Sequence, residues 1–353
     1  MSAVPDSLTV SSSPEESDRF RALLAHLRDG RALSRADAAY AVGSILSGQV
    51  SPARIGAFVM GLSSRGETQA EIAGAAQGLR ERALTLRAPP GAVDCCGTGG
   101  DHAGTFNIST TVALVAAACG VPVAKHGNRA ASSRSGAADV LEALGVSLDL
   151  SVETLQSALE TLGFCFLMAP RHHEAMKHVA AIRKDLGFRT LFNMIGPLAN
   201  PAGVRRQLIG VAAEGWIDRI AGALAELGTE RAWVVHGTDG LDEVTLTGPT
   251  HIAIVEGAAV SRRVLTPEDF GLPRAHLDDL RGGSAADNAR LIHAILEGEK
   301  GPRRDIVLAN TAAVLSIAGG GEEWPALVAR AAQAIDSGKA LSVLETYAGL
   351  GRS

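Results

Sequence analysis

Aromatic residues are scarce. Phe, Trp and Tyr together make up 4% of the 353 residues, although hydrophobic residues as a whole reach 46%. Any core must therefore be aliphatic, built from Ala, Val, Leu and Ile. A basic excess is also lacking. The net charge is −5, whereas general nucleic-acid binders carry a strong basic surplus. A local anion site remains compatible with this balance, because a few side chains and backbone amides suffice to build one. Cysteine is limited to Cys95, Cys96, Cys119 and Cys165. None forms a C-x-x-C pair and no Cys/His spacing reads as zinc, so reduced, partly buried thiols of a cytosolic protein are expected. Long apolar runs are missing. The longest, from Thr111 to Ala124, is interrupted by Gly120 and Pro122 and is too short to span a bilayer. No basic-then-apolar leader opens the chain. The expectations are a cytoplasmic location, no membrane partner and no nucleic-acid partner.

Several catalytic signatures are missing as well. There is no G-x-S-x-G, and the glycine loop at Gly97 is neither a Walker A nor a G-x-G-x-x-G fingerprint, since His102 occupies the last position. The His172-His173-Glu174 cluster is not H-E-x-x-H, because position 177 is Lys177.

The Ser- and Pro-containing stretch 1–16 reads as a disordered tail. From Ser17 to Leu86 apolar residues recur at helical spacing: Phe20, Leu23, Leu24 and Leu27, then Ala36, Ala39, Tyr40 and Val42. Ser34 and Ser51 suit N-caps, and Pro52 suits a first helical turn. Residues 17–86 are thus expected to form a small helical domain of about four helices. The linker candidate is Ala88-Pro89-Pro90-Gly91. Beyond it, from 91 to 350, short apolar runs alternate with helical stretches. Strands are expected at Val121–Ala124, Phe164–Met168, Gln207–Ala212 and Ala232–His236. Helices are expected at 109–119, 135–145, 151–162, 215–228, 284–298, 303–319 and 324–337. This alternation predicts an α/β domain with a mostly parallel sheet.

Chemistry concentrates between Asp94 and Gly145. Val93-Asp94-Cys95-Cys96-Gly97-Thr98-Gly99-Gly100-Asp101 runs from a strand-like start into a glycine loop, which is either a plain turn or a place where backbone N–H groups approach an anion. Thr105 to Thr111 sets Asn107, Ser109 and Thr110 just before an Ala/Val/Leu helix. These residues suit simple N-capping, and they equally suit phosphate binding at a helix N-terminus or, for Ser109, a metal ligand. Lys125 to Ser133 offers two cations, an amide and hydroxyls after an apolar strand. Three such strand–loop–helix junctions would line one sheet edge, where open α/β sheets bind ligands. Further on, Arg183 suits either a surface helix or a bidentate grip on a carboxylate. Asp242 and Glu243 end a strand in an acidic turn of a kind that also binds Mg2+.

These segments resemble one known family. The G-T-G-G-D loop, T-F-N-I-S-T, K-H-G-N-R-A-A-S-S, L-E-A-L-G, A-M-K-H-V, the L-G-F-R-T-L-F-N-M-I-G-P-L-A-N-P stretch and V-H-G-T-D-G-L-D-E are similar to anthranilate phosphoribosyltransferase, in order and spacing, from about Ser17 to the R-R-D-I-V-L-A-N near the end. The resemblance implies transfer of a phosphoribosyl group from 5-phosphoribosyl 1-diphosphate to anthranilate, the second step of tryptophan synthesis from chorismate. It implies donor binding by Gly97, Gly100, Asp101, Thr105, Asn107, Ile108, Ser109, Thr110, Lys125, His126, Gly127, Asn128, Arg129, Ala130, Ala131, Ser132, Ser133 and Ala137. It implies anthranilate contacts from Gly97, Asn128 and Arg183, and Mg2+ held by Ser109, Asp242 and Glu243. The implied fold is nucleoside-phosphorylase/phosphoribosyltransferase-like: a small helical domain, rejoined by a segment near 180–200, and a large α/β domain, paired into a homodimer. Two positions depart from the family's usual residues, Ala137 for serine and Ala181 for proline. The alternatives are a pyrimidine nucleoside phosphorylase-like enzyme and a non-catalytic nucleic-acid-binding relative.

Overall fold

The computed structural model describes residues 14–130 and 134–351. In chain order the elements are helices α1 (Pro14–Arg28), α2 (Arg35–Leu46), α3 (Pro52–Arg65) and α4 (Gln69–Arg80), then strand β1 (Val93–Gly97), α5 (Ile108–Ala118), β2 (Val123–Gly127), α6 (Ala137–Ala143), α7 (Val152–Thr161), β3 (Phe164–Met168), α8 (Ala169–His172), α9 (Lys177–Leu186) and α10 (Leu191–Met194). There follow β4 (Arg206–Gly210), α11 (Ile217–Glu226), β5 (Arg231–Gly237), β6 (Thr250–Glu256), β7 (Ala259–Leu265), α12 (Ala285–Leu296), α13 (Pro302–Leu315), α14 (Trp324–Asp336) and α15 (Lys339–Gly349).

Two compact units emerge. The first runs to Ala83 and regains the chain at His173–Ile195; the second holds Leu84–His172 and everything from Gly196 onward. The first unit is all helix. Two of its helices start at hydroxyl caps: Ser34 accepts from Asp37 N at 3.1 Å, and Thr68 forms a reciprocal box with Glu71 at the start of α4, whereas Ser51, expected as a cap, stands before α3 without a side-chain capping bond. Each such cap is worth about 1 kcal/mol. Glu71 is fully buried, and its charge is met by Arg65 at 2.6 Å and by the N–H of Leu33 at 2.8 Å. The returning segment is 173–195 rather than 180–200. Helix α1 begins at Pro14, so the expected tail 1–16 overlaps it by three residues, and residues 1–13 lie outside the described residues.

The second unit is an α/β layer structure around a seven-stranded sheet in the order β3-β2-β1-β4-β5-β6-β7. Strands β1 to β5 are parallel, while β6 and β7 run antiparallel at one edge. The core is aliphatic, as the composition requires, with a few aromatics at its seams such as Trp233 against Trp324 at 5.5 Å. Helix α5 is apolar nearly all round and buried along most of its length, which is the mark of a central helix.

Strand order decides where a ligand can enter. The chain steps from β1 outward to β2 and β3, then returns to β4 beside β1 and steps the other way. Loops leaving β1 and β4 therefore diverge, opening a crevice at their carboxyl ends. In that register Gly97 stands beside Gly210.

Four expectations from the sequence are corrected here. Strands β6 and β7 and helix α15 were not expected. Strand β2 lies two to three residues later than placed, so Lys125 and His126 sit on the strand and not in the loop after it. The glycine loop and the Thr105 segment belong to one connection, β1 to α5, so two junctions and not three serve the Asp94–Gly145 region. The long helix expected at 303–319 ends at Leu315 and passes into a wider turn over 316–320.

Candidate active site

At the carboxyl ends of β1 and β4 Asp242 lies against Gly97 and Gly210. A Cβ on Gly97 would collide with the Asp242 carboxylate, and one on Gly210 would collide with the Asp242 backbone carbonyl. Both strand ends must therefore be glycine for the acidic turn to lie across them. Asp242 accepts a hydrogen bond from Gly99 N at 2.8 Å. Glu243 is hydrogen-bonded to the backbone of Ser109 at the start of α5, where free N–H groups favour an anion. Its carboxyl is held well above the usual range, first by burial, then by the Asp242 charge and that of Asp101, with Lys125 opposing. The turn is braced from behind by Asn310 of α13, fully buried, which accepts from Val244 N at 2.9 Å and donates to Val244 O at 2.8 Å.

Lys125 is buried on β2. Its ammonium donates to the Cys95 carbonyl at 2.8 Å and to Ser109 Oγ at 3.2 Å. It is thus a fixed positive charge beneath the loop, not a solvated loop cation. Next to it Asp94 is fully buried and accepts from His126 N at 3.1 Å and Asn200 Nδ2 at 2.8 Å. Burial pushes its pKa up, against the pull of Lys125 and of its donors. His126 Nδ1 lies 3.2 Å from Gly196 O; a carbonyl can only accept, so this nitrogen carries the proton.

The β1–α5 loop is bent by positive φ at Gly99, Gly100 and Gly104, and by His102 at φ 54, alone in this among the described non-glycine residues. Asn107 occupies the N-cap position of α5 yet makes no capping bond. Its amide turns instead to Ser135 O at 3.2 Å and receives Asn288 Nδ2 at 2.9 Å. Simple capping is thereby ruled out for this side chain. In the β2–α6 loop, Asp139 accepts from Ala130 N and Gly136 N, both at 2.9 Å, and pins the loop ends together. Arg129 pairs with Asp139 and Glu142, each at 2.9 Å.

The domain pattern matches recorded families over most of the chain. Residues 89–341 match the glycosyl transferase family, a/b domain, and residues 21–83 match the glycosyl transferase family, helical bundle domain. The anthranilate phosphoribosyltransferase of Rhodospirillum rubrum is 54% identical over 335 residues, covering 95% of this chain and 96% of that protein. The chain belongs to the anthranilate phosphoribosyltransferase family. Solved structures agree. That of the Thermus thermophilus family member superposes with a TM-score of 0.89 at 44% identity, covering 94% of this chain and 99% of that one. That of the Saccharomyces cerevisiae enzyme in complex with PRPP and Mg gives 0.86 at 30% identity, covering 96% and 98%.

Within the second unit the fold brings six of the residues that the resemblance implied near one another. Gly97, Ser109, Lys125, Asp242 and Glu243, with Asp101 in electrostatic reach of Glu243, form one cluster. Ile108 and Thr110, on the first turn of α5, are buried. Ala131, Ser132 and Ser133 lie outside the described residues. Ala137 begins α6, its methyl group close to where a Cβ on Gly127 would stand. Arg183 lies in the helical unit, on α9, half-buried, and burial and the neighbouring Arg189 lower its pKa from arginine's ordinary value. Three asparagines to which the sequence assigns no role also serve this region: Asn200 and Asn310, which stand in quoted motifs, and Asn288. Each is a buried amide: Asn200 serves Ala124 O on β2, Asn310 serves Val244 behind the acidic turn, and Asn288 joins Gly283 N–H to the Asn107 side chain.

Proposed function

We propose that this chain couples anthranilate to the phosphoribosyl group of 5-phosphoribosyl 1-diphosphate, giving N-(5-phosphoribosyl)anthranilate and diphosphate, the second step of L-tryptophan synthesis from chorismate. The observation that carries this reading is the convergence of Gly97, the start of α5, Lys125 and the Asp242-Glu243 turn on the switch point of the sheet.

The residues fit a divalent cation. Burial first, and then the charges of Asp242 and Asp101, raise the Glu243 pKa, and the donors are hard oxygens suited to Mg2+. Among the described residues no group of three or more His, Cys, Asp or Glu could hold an ion by itself, so further ligands must come from elsewhere, such as substrate phosphates. Asp242, Glu243 and the Ser109 hydroxyl would hold Mg2+, which when bound offsets charge on the departing diphosphate.

The chain's own groups then have defined tasks. Displacement at the anomeric carbon breaks the bond to diphosphate and builds negative charge on it. Fixed donors of the β1–α5 loop and the buried Lys125 ammonium stabilise that charge without reorganising. The aromatic amine of anthranilate is neutral and attacks with its own lone pair as the bond to diphosphate breaks; the nitrogen then gives its extra proton to water or to the released diphosphate, so a strong base is not needed before attack. Arg183 orients the anthranilate carboxylate, and Gly97 and Asn128 contact the same substrate. Positioning of the two reactants supplies much of the remaining rate.

The decisive experiment follows anthranilate fluorescence with the donor present, with and without Mg2+. The signal should fall on coupling. Cleavage of thymidine by phosphate with no consumption of anthranilate would overturn the reading in favour of a phosphorylase, and salt-sensitive DNA binding without turnover would favour a non-catalytic relative. In the same assay Arg183→Ala should raise the anthranilate KM by roughly tenfold or more, the loss of a charge-assisted pair, and spare the donor KM. An equal rise in both would remove Arg183 from that role.

A further inference from the structure

We propose that Asn288 of α12 is a positioning residue for the phosphoribosyl donor: it fixes the orientation of the Asn107 amide and, through it, locks the β1–α5 loop to the β2–α6 loop. The inference rests on the donor-site reading of these loops.

The argument starts from two backbone groups whose roles cannot change. Gly283 N–H can only donate, and it meets Asn288 Oδ1 at 2.7 Å. The Asn288 NH2 must therefore face the other way, towards Asn107 Oδ1 at 2.9 Å. That contact forces Asn107 to present its oxygen to Asn288. Its own NH2 then faces the Ser135 carbonyl, which can only accept, at 3.2 Å. Ser135 Oγ adds a longer contact to Asn107 Oδ1 at 3.4 Å. The direction of the whole relay is thus set at both ends by main chain, and neither amide can flip without losing two bonds.

Burial and the surrounding backbone support the relay. Asn288 is 2% exposed, so an unmet amide there would be costly. The segment leading into α12 is zipped along the donor loop: Gly282 N donates to Gly104 O at 2.9 Å, Phe106 N donates to Leu280 O at 3.1 Å, and Thr105 bridges Arg281. Gly282 makes the approach possible, since a Cβ there would lie 2.5 Å from Asn288 Oδ1 and 2.7 Å from Phe106 N. The β1–α5 and β2–α6 loops are therefore tied to α12 through Asn288 and Asn107. Asn107, freed from capping, is held in a single pose before any ligand arrives, and such pre-organisation reduces the ordering cost of binding.

Four variants test this: Asn288→Ala, Asn288→Asp, Asn107→Ala and the double alanine. Donor affinity is measured by calorimetry with 5-phosphoribosyl 1-diphosphate and Mg2+, beside steady-state constants for both substrates. Asn288→Ala should weaken donor binding about tenfold, within the range of coupling between contacting polar groups, and leave the anthranilate KM unchanged. Asn288→Asp is nearly isosteric and keeps the Gly283 contact, but it turns an oxygen onto Asn107 Oδ1, so it should fold and bind donor more weakly than Asn288→Ala. The double variant should bind donor as Asn107→Ala alone does, because Asn288 acts through Asn107. Donor affinity unchanged in both Asn288 variants, anthranilate and donor constants moving together, or a double variant showing the product of the single effects would each overturn the proposal. If the wild-type protein binds the donor but does not consume anthranilate, the functional reading fails while the donor-affinity series still judges Asn288.

Discussion

At the residue scale, charge is used by enclosure. Asp242 and Glu243 are adjacent in sequence but differ in surroundings. Asp242 is tied to Gly99 N–H, and Glu243 to the backbone of Ser109, with burial and its acidic neighbours driving its pKa up. Two carboxylates so placed repel each other unless a cation joins them. Asp242→Asn together with Glu243→Gln removes that repulsion and the cation's charge partners at once. The double variant should need at least about tenfold more Mg2+ for half-maximal coupling, the consequence of losing roughly 1.4 kcal/mol or more of ion binding. A Mg2+ titration followed by anthranilate fluorescence reads this directly; a superimposable titration would remove both residues from the metal site. The acidic turn was legible in the sequence because V-H-G-T-D-G-L-D-E combines a strand end with carboxylates. The brace behind it was not. Asn310 sits inside α13, where an Asn ordinarily weakens a helix, and nothing in its neighbours shows that its amide serves Val244 66 residues away.

At the scale of elements, the site is made by strand ends that forbid side chains. Glycine at 97 reads as part of an obvious loop motif. Glycine at 210 reads only as a residue inside the apolar run Gln207–Ala212, and its purpose appears when β4, which ends there, pairs in register with β1. Gly210→Ala would drive a methyl group into the Asp242 carbonyl, a backbone atom that cannot yield without moving the turn. It should therefore cost roughly 1–3 kcal/mol of stability, as overpacking does, and depress coupling far more than a folded fraction would explain. Thermal melting and kcat measured on the same preparation separate the two effects; wild-type kcat in a folded Gly210→Ala protein would show that Asp242 is not held by this contact. Other elements were less legible for identifiable reasons. Strand β7 exposes most of its residues, including Val260 and Val264, so it lacks the buried alternation that marks a strand. The sequence pattern sets strand β2 too early because Lys125 and His126 end an apolar run, and a charged residue there reads as loop. Both are buried in fact, and Lys125 has its charge satisfied by Cys95 O and Ser109 Oγ.

At the scale of the whole molecule, the chain enters and leaves the α/β unit at Leu84, His172 and Gly196. Two of these points are stitched to each other. Leu84 N donates to His172 O at 2.8 Å, and His172 Nδ1 lies 2.6 Å from Leu84 O. The third is held by His126 Nδ1 against Gly196 O. Because a carbonyl only accepts, the His172 ring must keep its proton on Nδ1 and, when neutral, leave Nε2 bare. Burial lowers the His172 pKa below its ordinary 6.5, opposed by the Leu84 carbonyl and aided by Arg171. Unfolded, the same imidazole takes up a proton near its ordinary value. As pH falls below about 6.5 the unfolded chain therefore gains protons that the folded one refuses, and stability declines until the lower folded pKa is reached. Well above pH 6.5, where both states are unprotonated, this group contributes no slope. His172→Asn keeps an N–H donor near the Nδ1 position but does not titrate. Urea denaturation of the full chain at about pH 7.5 and about pH 5.5, on either side of the ordinary imidazole value, should then show a smaller loss of stability in the variant than in the wild type. An identical loss in both would place the acid sensitivity elsewhere and leave the Leu84–His172 stitch as a contact with no pH dependence of its own.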